Sequence, residues 1–89
     1  MNVITFDTTC ARWVPNRESN ISFLNMTIGY LRGLHATRGY IYLNQIYEAF
    51  GARWNPDWKN ICYKTEEGMI WAEIQEGLGD VWFIKIAHF

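Results

Sequence analysis

Cysteine, proline and clustered charge are all scarce in this chain. It has two cysteines, Cys10 and Cys62, and two prolines, Pro15 and Pro56, in 89 residues. Two cysteines far apart, with no export signal ahead of them, exclude a disulfide scaffold and read as free thiols. Met1 to Asp7 carries neither a basic n-region nor a long apolar run, so no secretory leader is expected. No stretch of about 18 apolar residues exists to span a bilayer. The expectation is a cytoplasmic protein, in which the sequons at Asn20 and Asn25 are chance matches.

Charge of either sign is not concentrated anywhere. The 8 Lys and Arg residues are interspersed with 9 Asp and Glu residues. A duplex nucleic-acid binder needs a basic stripe to neutralise phosphates, and none is present. Metal ligands are equally thin: Cys10, His35, Cys62 and His88 stand singly, without the C-x₂-C or paired-His spacing of a metal site. No metal, cofactor or catalytic residue is therefore assigned. A small Cys/His hydrolase using Cys10 or Cys62 with His35 and Asp7 is the third-ranked reading, since neither cysteine sits in a recognisable nucleophile motif. Gly77-Leu78-Gly79 has no helix after it and is no phosphate cradle.

Aromatics are what the chain has in excess. Trp, Tyr and Phe occur five times each. Each buries roughly 150–250 Å². A single small domain cannot hide that many rings, so some are expected at a surface that something else covers.

The hydrophobic patterning predicts an α+β fold, with one long and one short helix packed on a three- to four-stranded antiparallel sheet. Asn2 to Asp7 alternates as a strand, with Ile4 and Phe6 on one face. Ile21, Leu24, Ile28, Leu31 and Leu34 recur at helical spacing, capped by Ser19 or Asn20 and stopped by Gly39. Tyr40 to Tyr42 is a short extended run, and Asn44 caps a short helix ending at Gly51. Ile61 to Lys64, Met69 to Gln75 and Val81 to Ala87 are strands, the last two joined as a hairpin. One domain spans residues 1–89.

Two helix-interior glycines stand out, because each costs about 1 kcal/mol against alanine. Gly29 and Gly33 lie on one helix face. Close internal packing is the first expectation for them; a contact between subunits is the second. With Trp82 and Phe89 on an apolar last strand, read as an unpaired edge, they form the candidate oligomer interface of a homo-oligomer.

The block Gly39-Tyr40-Ile41-Tyr42-Leu43-Asn44-Gln45-Ile46-Tyr47-Glu48-Ala49-Phe50-Gly51, followed by the aromatic hairpin ending Asp80-Val81-Trp82-Phe83-Ile84-Lys85-Ile86, resembles a pattern in small proteins of bacteriophages and mobile elements of Gram-positive bacteria. Those proteins share G-Y-[IV]-x-L-N-x-[IVW]-Y-[DE]-x-[LF]-G. They often begin the hairpin with Gly-Trp, whereas Gly68-Met69 stands here, with Trp71 two positions on. The resemblance covers residues 39–86 and implies a phage-type accessory protein working in the host bacterial cytosol.

Arg53-Trp54-Asn55-Pro56-Asp57-Trp58-Lys59 is the one stretch where rings, both charges and a rigid turn coincide. Trp and Arg are enriched at binding hot spots. Arg53, Trp54, Asp57 and Trp58, with Tyr40, Tyr42 and Trp71 near the same edge, are the expected binding residues, while Lys64 and Glu66 are expected to be bystanders. The leading expectation is a non-enzymatic protein that binds and blocks a host protein or protein complex, a defence system being the natural target. The alternative is sequestration of a nucleotide-like small ligand in an aromatic pocket, at a subunit interface for example.

Overall fold

The computed structural model describes residues 2–53 and 56–88. Seven elements define the fold: β1 (Asn2–Phe6), α1 (Arg17–Arg38), β2 (Tyr40–Tyr42), α2 (Leu43–Ala49), β3 (Cys62–Lys64), β4 (Ile70–Glu76) and β5 (Trp82–His88). The α+β class and the pair of helices, one long and one short, are as the sequence predicts. The strands are antiparallel, as expected. They divide into a three-stranded antiparallel sheet of order β1-β5-β4 and a separate two-stranded sheet of β2 and β3.

Alternation sets the core. Ile4 and Phe6 of β1, Ile70 of β4 and Trp82, Ile84 and Ile86 of β5 turn to one face and are buried. In register, Ala72 stands opposite Ile86 and Ile74 opposite Ile84. Leu24 and Leu31 of α1 and Leu43, Ile46 and Phe50 of the α2 segment join the same core. Phe23 links the layers, stacked on Phe6 at 5.6 Å and edge-on to Phe50 at 6.5 Å between ring centroids.

The last strand is not an edge. β5 pairs with β1 on one side and with β4 on the other. It is apolar because it is central, and Trp82, 3% exposed, lies inside the chain's own core rather than at a subunit contact. Phe89, placed by the sequence in the same interface, lies outside the described residues.

The N-cap of α1 lies three residues before Ser19 and four before Asn20, the expected caps. The Asn16 side chain accepts from the Ser19 N–H at 2.9 Å and is the N-cap. Asn20 instead is fully buried: its amide accepts from Val14 N–H and donates to Val14 C=O, fastening the preceding loop to the helix. The buried line is Asn20, Leu24, Thr27, Leu31 and His35, with Ile21, Ile28 and Leu34 at its margins. Similarly, α2 is capped at Tyr42, whose N–H is held by the Gln45 side chain at 2.9 Å, and Asn44 lies buried within the first turn.

Gly29 and Gly33 pack against nothing. Both are exposed, and a β-carbon built on either meets no atom within 4 Å. Close internal packing, the first expectation, is overturned. Neither position requires glycine for the fold, so Gly29→Ala and Gly33→Ala should each stabilise the chain by about 1 kcal/mol. A shift of the urea midpoint to higher concentration would show it; a lower midpoint would reveal a packing role.

The base of α1 is clasped to the hairpin. Arg17 donates to both Glu76 carboxylate oxygens at 2.7 and 2.8 Å, and its guanidinium lies 5.7 Å from the centre of the Trp82 ring. Trp13 Nε1 donates to the Asp80 carbonyl at 2.9 Å. The Arg17 hydrogen bonds hold the Glu76 carboxyl below the usual carboxylate range. A lowered folded-state value means the clasp contributes at neutral pH and is lost as the pH falls through the acid range.

Candidate functional site

Strand alternation on β2 and β3 builds one exposed aromatic face. Ile41 turns inward and is fully buried, so Tyr40 and Tyr42 turn out, 37% and 40% exposed. Antiparallel pairing sets Tyr40 opposite Lys64 and Tyr42 opposite Cys62. The Leu43 N–H to Ile61 C=O and Thr65 N–H to Gly39 C=O bonds, each 2.9 Å, bracket the pair of strands. They make Tyr40–Lys64 and Tyr42–Cys62 the non-hydrogen-bonded pairs, whose side chains stand closest together.

Both tyrosines are held from helix ends. Gly39 takes φ +85° at the end of α1 and donates to His35 C=O, and its own carbonyl accepts from Thr65 N–H and Oγ1. Tyr40 follows directly. Its hydroxyl accepts from Arg38 Nη2 at 2.8 Å, with the guanidinium carbon 4.7 Å from the ring centroid. Tyr42 opens α2. The two rings meet edge-on, 5.8 Å apart at 76°. Three residues of strand between two helix ends leave the rings little freedom.

An open cleft of about 540 Å³ lies against this face, lined by Gly39, Tyr40, Tyr42, Cys62, Lys64, Thr65 and Glu66. A smaller one of about 290 Å³ shares Tyr42 and is bounded also by Asn44, Gln45, Lys59 and Asn60. Lys59 and Asn60 continue the Trp-bearing loop, so Tyr42 stands where the tyrosine face meets that loop. Lys64 and Glu66, expected to be bystanders, line the larger cleft. The sequence signal for them was present in the i, i+2 alternation of Cys62 and Lys64. It becomes readable once β3 is known to pair with β2.

The loop residues divide. Arg53 and Asp57 are exposed. Pro56–Trp58 forms a single 3₁₀ turn that leads into β3 through the Ile61 N–H to Trp58 C=O bond. Trp58 is half-buried, its ring 4.7 Å from that of Tyr47. Tyr47 in turn donates to the Val3 carbonyl of β1 at 3.2 Å, and burial raises its phenol above its ordinary range. Trp58 thus supports the core from outside. Trp54 lies outside the described residues. Trp71 belongs to β4 in the other sheet, 39% exposed on its outer face, and lines neither cleft beside Tyr42.

Of the residues named for a hydrolase, Cys10 and Asp7 bond within the chain. The buried Cys10 thiol donates to the Thr5 carbonyl at 3.4 Å, and the Asp7 carboxylate accepts from Thr9 N–H and Oγ1. Those bonds hold the Asp7 carboxyl below its usual range. Cys10 and Cys62 are both free thiols. Among the described residues no three His, Cys, Asp or Glu side chains converge to hold a metal ion, and no helix is long and apolar enough to cross a membrane.

Comparison with protein-family models, with curated proteins and with solved structures finds no match to this chain.

Proposed function

We propose that this chain is a non-enzymatic binding protein of phage type that occupies and blocks a host protein in the bacterial cytosol, a defence system being the natural target. The observation that carries the reading is the Tyr40–Tyr42 face. Two rings project from a strand fixed at both ends, beside an arginine and a lysine, with Tyr42 lining two open clefts. Tyr and Arg dominate binding hot spots because they offer large contact area and fixed polar tips at low entropic cost. A blocker needs such a surface and no reacting group. Arg53 and Asp57, both exposed, belong to the loop whose Lys59 bounds the smaller cleft.

The test separates binding from folding by using exposed residues only. Tyr40→Ala with Tyr42→Ala should leave the far-UV spectrum native. Each truncation should weaken target binding by about 2 kcal/mol or more. In cells carrying a defence system, the native chain should restore plaque formation by a sensitive phage, and the double variant should not. Equal restoration by both would remove the site from this face. Trp58 is a poor probe, because its ring also packs on Tyr47.

A second reading rests on the cleft itself. At about 540 Å³ it is within the size range of small-molecule sites, and two rings with Lys64 suit a nucleotide-derived ligand. Glu66 on the same wall opposes an anion. Under this reading added nucleotide raises the melting midpoint, since ligand bound only to the folded state stabilises it. Lys64→Ala then abolishes that rise.

A further inference from the structure

We propose that two copies of this chain join edge to edge through β4, in an antiparallel two-fold pairing centred on Ala72 that merges their three-stranded sheets into one. The two outer strands of that sheet are finished differently. Gly77 N–H donates to Val81 C=O at 2.7 Å, and this pair fixes the hydrogen-bond phase of the β4–β5 ladder. Counting along the register from it, the main-chain groups of Trp71, Glu73 and Gln75 face β5. Those of Ile70, Ala72 and Ile74 face the free side. The same phase carried across β5 aims the carbonyls of Val3 and Thr5 at the free side of β1. There they are already taken, by the Tyr47 hydroxyl and the Cys10 thiol. At Ile70, Ala72 and Ile74 no described group bonds to the free side. Among the described residues, one edge is closed and the other is open.

Burial is unfinished along the same strand. The inward residues of β1 and β5 are essentially closed off: Ile4 1%, Phe6 0%, Trp82 3%, Ile84 0% and Ile86 2% exposed. On β4 only Ile70 is closed off, while Ala72 and Ile74 stay half-exposed. On the opposite face Trp71 is 39% exposed. A strand laid along β4 would cover apolar groups on both faces. Native sheets blunt such an edge with charge or proline. β4 has no proline, and of its two glutamates Glu76 is held by Arg17 while Glu73 stands across from Lys85 in the register with β5.

The strand that fits is β4 of a second copy, because the sequence is complementary to itself in one register. Centred on Ala72, the pairing sets Ile70 against Ile74 of the other copy, twice, on the core side. It puts the smallest side chain at the axis and Trp71 beside the other Glu73 on the outer face. Centring on Glu73 would oppose like charges directly. Centring on Ile74 would put Ala72 against the Glu76 that Arg17 already holds. The contact is isologous and closes at two copies.

The test is the solution mass, a proline and a cysteine pair. At micromolar concentration the native chain should weigh twice 10.5 kDa by light scattering. Ala72→Pro removes one outward N–H and no bond of the β4–β5 ladder, a position where proline is tolerated. It should yield a folded monomer. Across the axis the two Ala72 Cα atoms of a hydrogen-bonded pair stand about 5.5 Å apart, within reach of a disulfide. In a Cys62→Ser background, mild oxidation should therefore cross-link Ala72→Cys into a covalent dimer and leave Ile74→Cys uncross-linked. A native mass of 10.5 kDa overturns the proposal. So does a dimer that survives Ala72→Pro, or equal cross-linking of the two cysteine variants; the Gly29/Gly33 face would then be the place to look for a contact.

Discussion

Phe6→Ala is expected to remove about 3–5 kcal/mol of folding stability, the typical cost of truncating a fully buried phenylalanine. Phe6 is 0% exposed and sits where the layers meet. Its ring stacks on Phe23 of α1, which in turn touches Phe50 after α2. Deleting it opens a cavity between sheet and helices and leaves Phe23 with only its edge contact to Phe50. A domain of this size has a total stability of only about 5–13 kcal/mol. The variant should therefore lose a large part of its denaturant midpoint, and urea unfolding followed by tryptophan fluorescence reads this directly. A loss below about 1 kcal/mol would mean that the core closes without Phe6.

Gly51→Ala is the second large effect, and its size comes from the backbone. Gly51 takes φ +74°, and a β-carbon there would lie 2.9 Å from Arg12 N and 3.0 Å from Ala11 N. Both are main-chain atoms of the loop after β1, so no side-chain rotation relieves them. Ala11 N–H also donates to the Gly51 carbonyl at 3.1 Å. The left-handed conformation costs a side chain about 1–2 kcal/mol, and losing that bond adds about 1 kcal/mol. A destabilisation of about 2–3 kcal/mol is expected by chemical denaturation, opposite in sign to Gly29→Ala and Gly33→Ala. If Gly51→Ala proves neutral, the loop of Ala11 and Arg12 must yield freely. These three glycines show how one residue type carries different costs by position. The sequence marks Gly51 as a helix stop, but only the fold brings Arg12 against it.

Much of the fold was legible because it is local. The alternation of Ile4 and Phe6, the hairpin of β4 and β5, and the long apolar stripe of α1 each lie within one segment. Cap positions were harder. Several polar side chains near a helix start can serve as cap, and tertiary contacts choose among them. Asn16 caps here because Asn20 is drawn inward to the Val14 main chain.

The candidate site was half legible. Tyr40 and Tyr42 are marked by composition and by their short strand, and Arg53 and Asp57 by their loop. Cys62, Lys64 and Thr65 were invisible as site residues, because their relation to the tyrosines is made by strand pairing, and Arg38 because its reach to Tyr40 depends on how α1 ends. Trp58 and Trp71 share the aromatic signal of the tyrosines yet lie apart from them, one on Tyr47 and one on the other sheet.

By itself, the sequence determined the fold class, the order of the main elements and the inward faces of β1, β4 and β5. Those follow from periods of two and 3.6 residues that act over a few neighbours. Tertiary structure alone decided which strand is central, which edge stays open and which rings share a face. These depend on pairings between residues tens of positions apart, and an apolar strand reads alike whether it is central or at an edge. The last strand shows it: Val81 to Ala87 has the apolar pattern of a liability, and becomes the spine of the sheet because β1 and β4 close on either side of it.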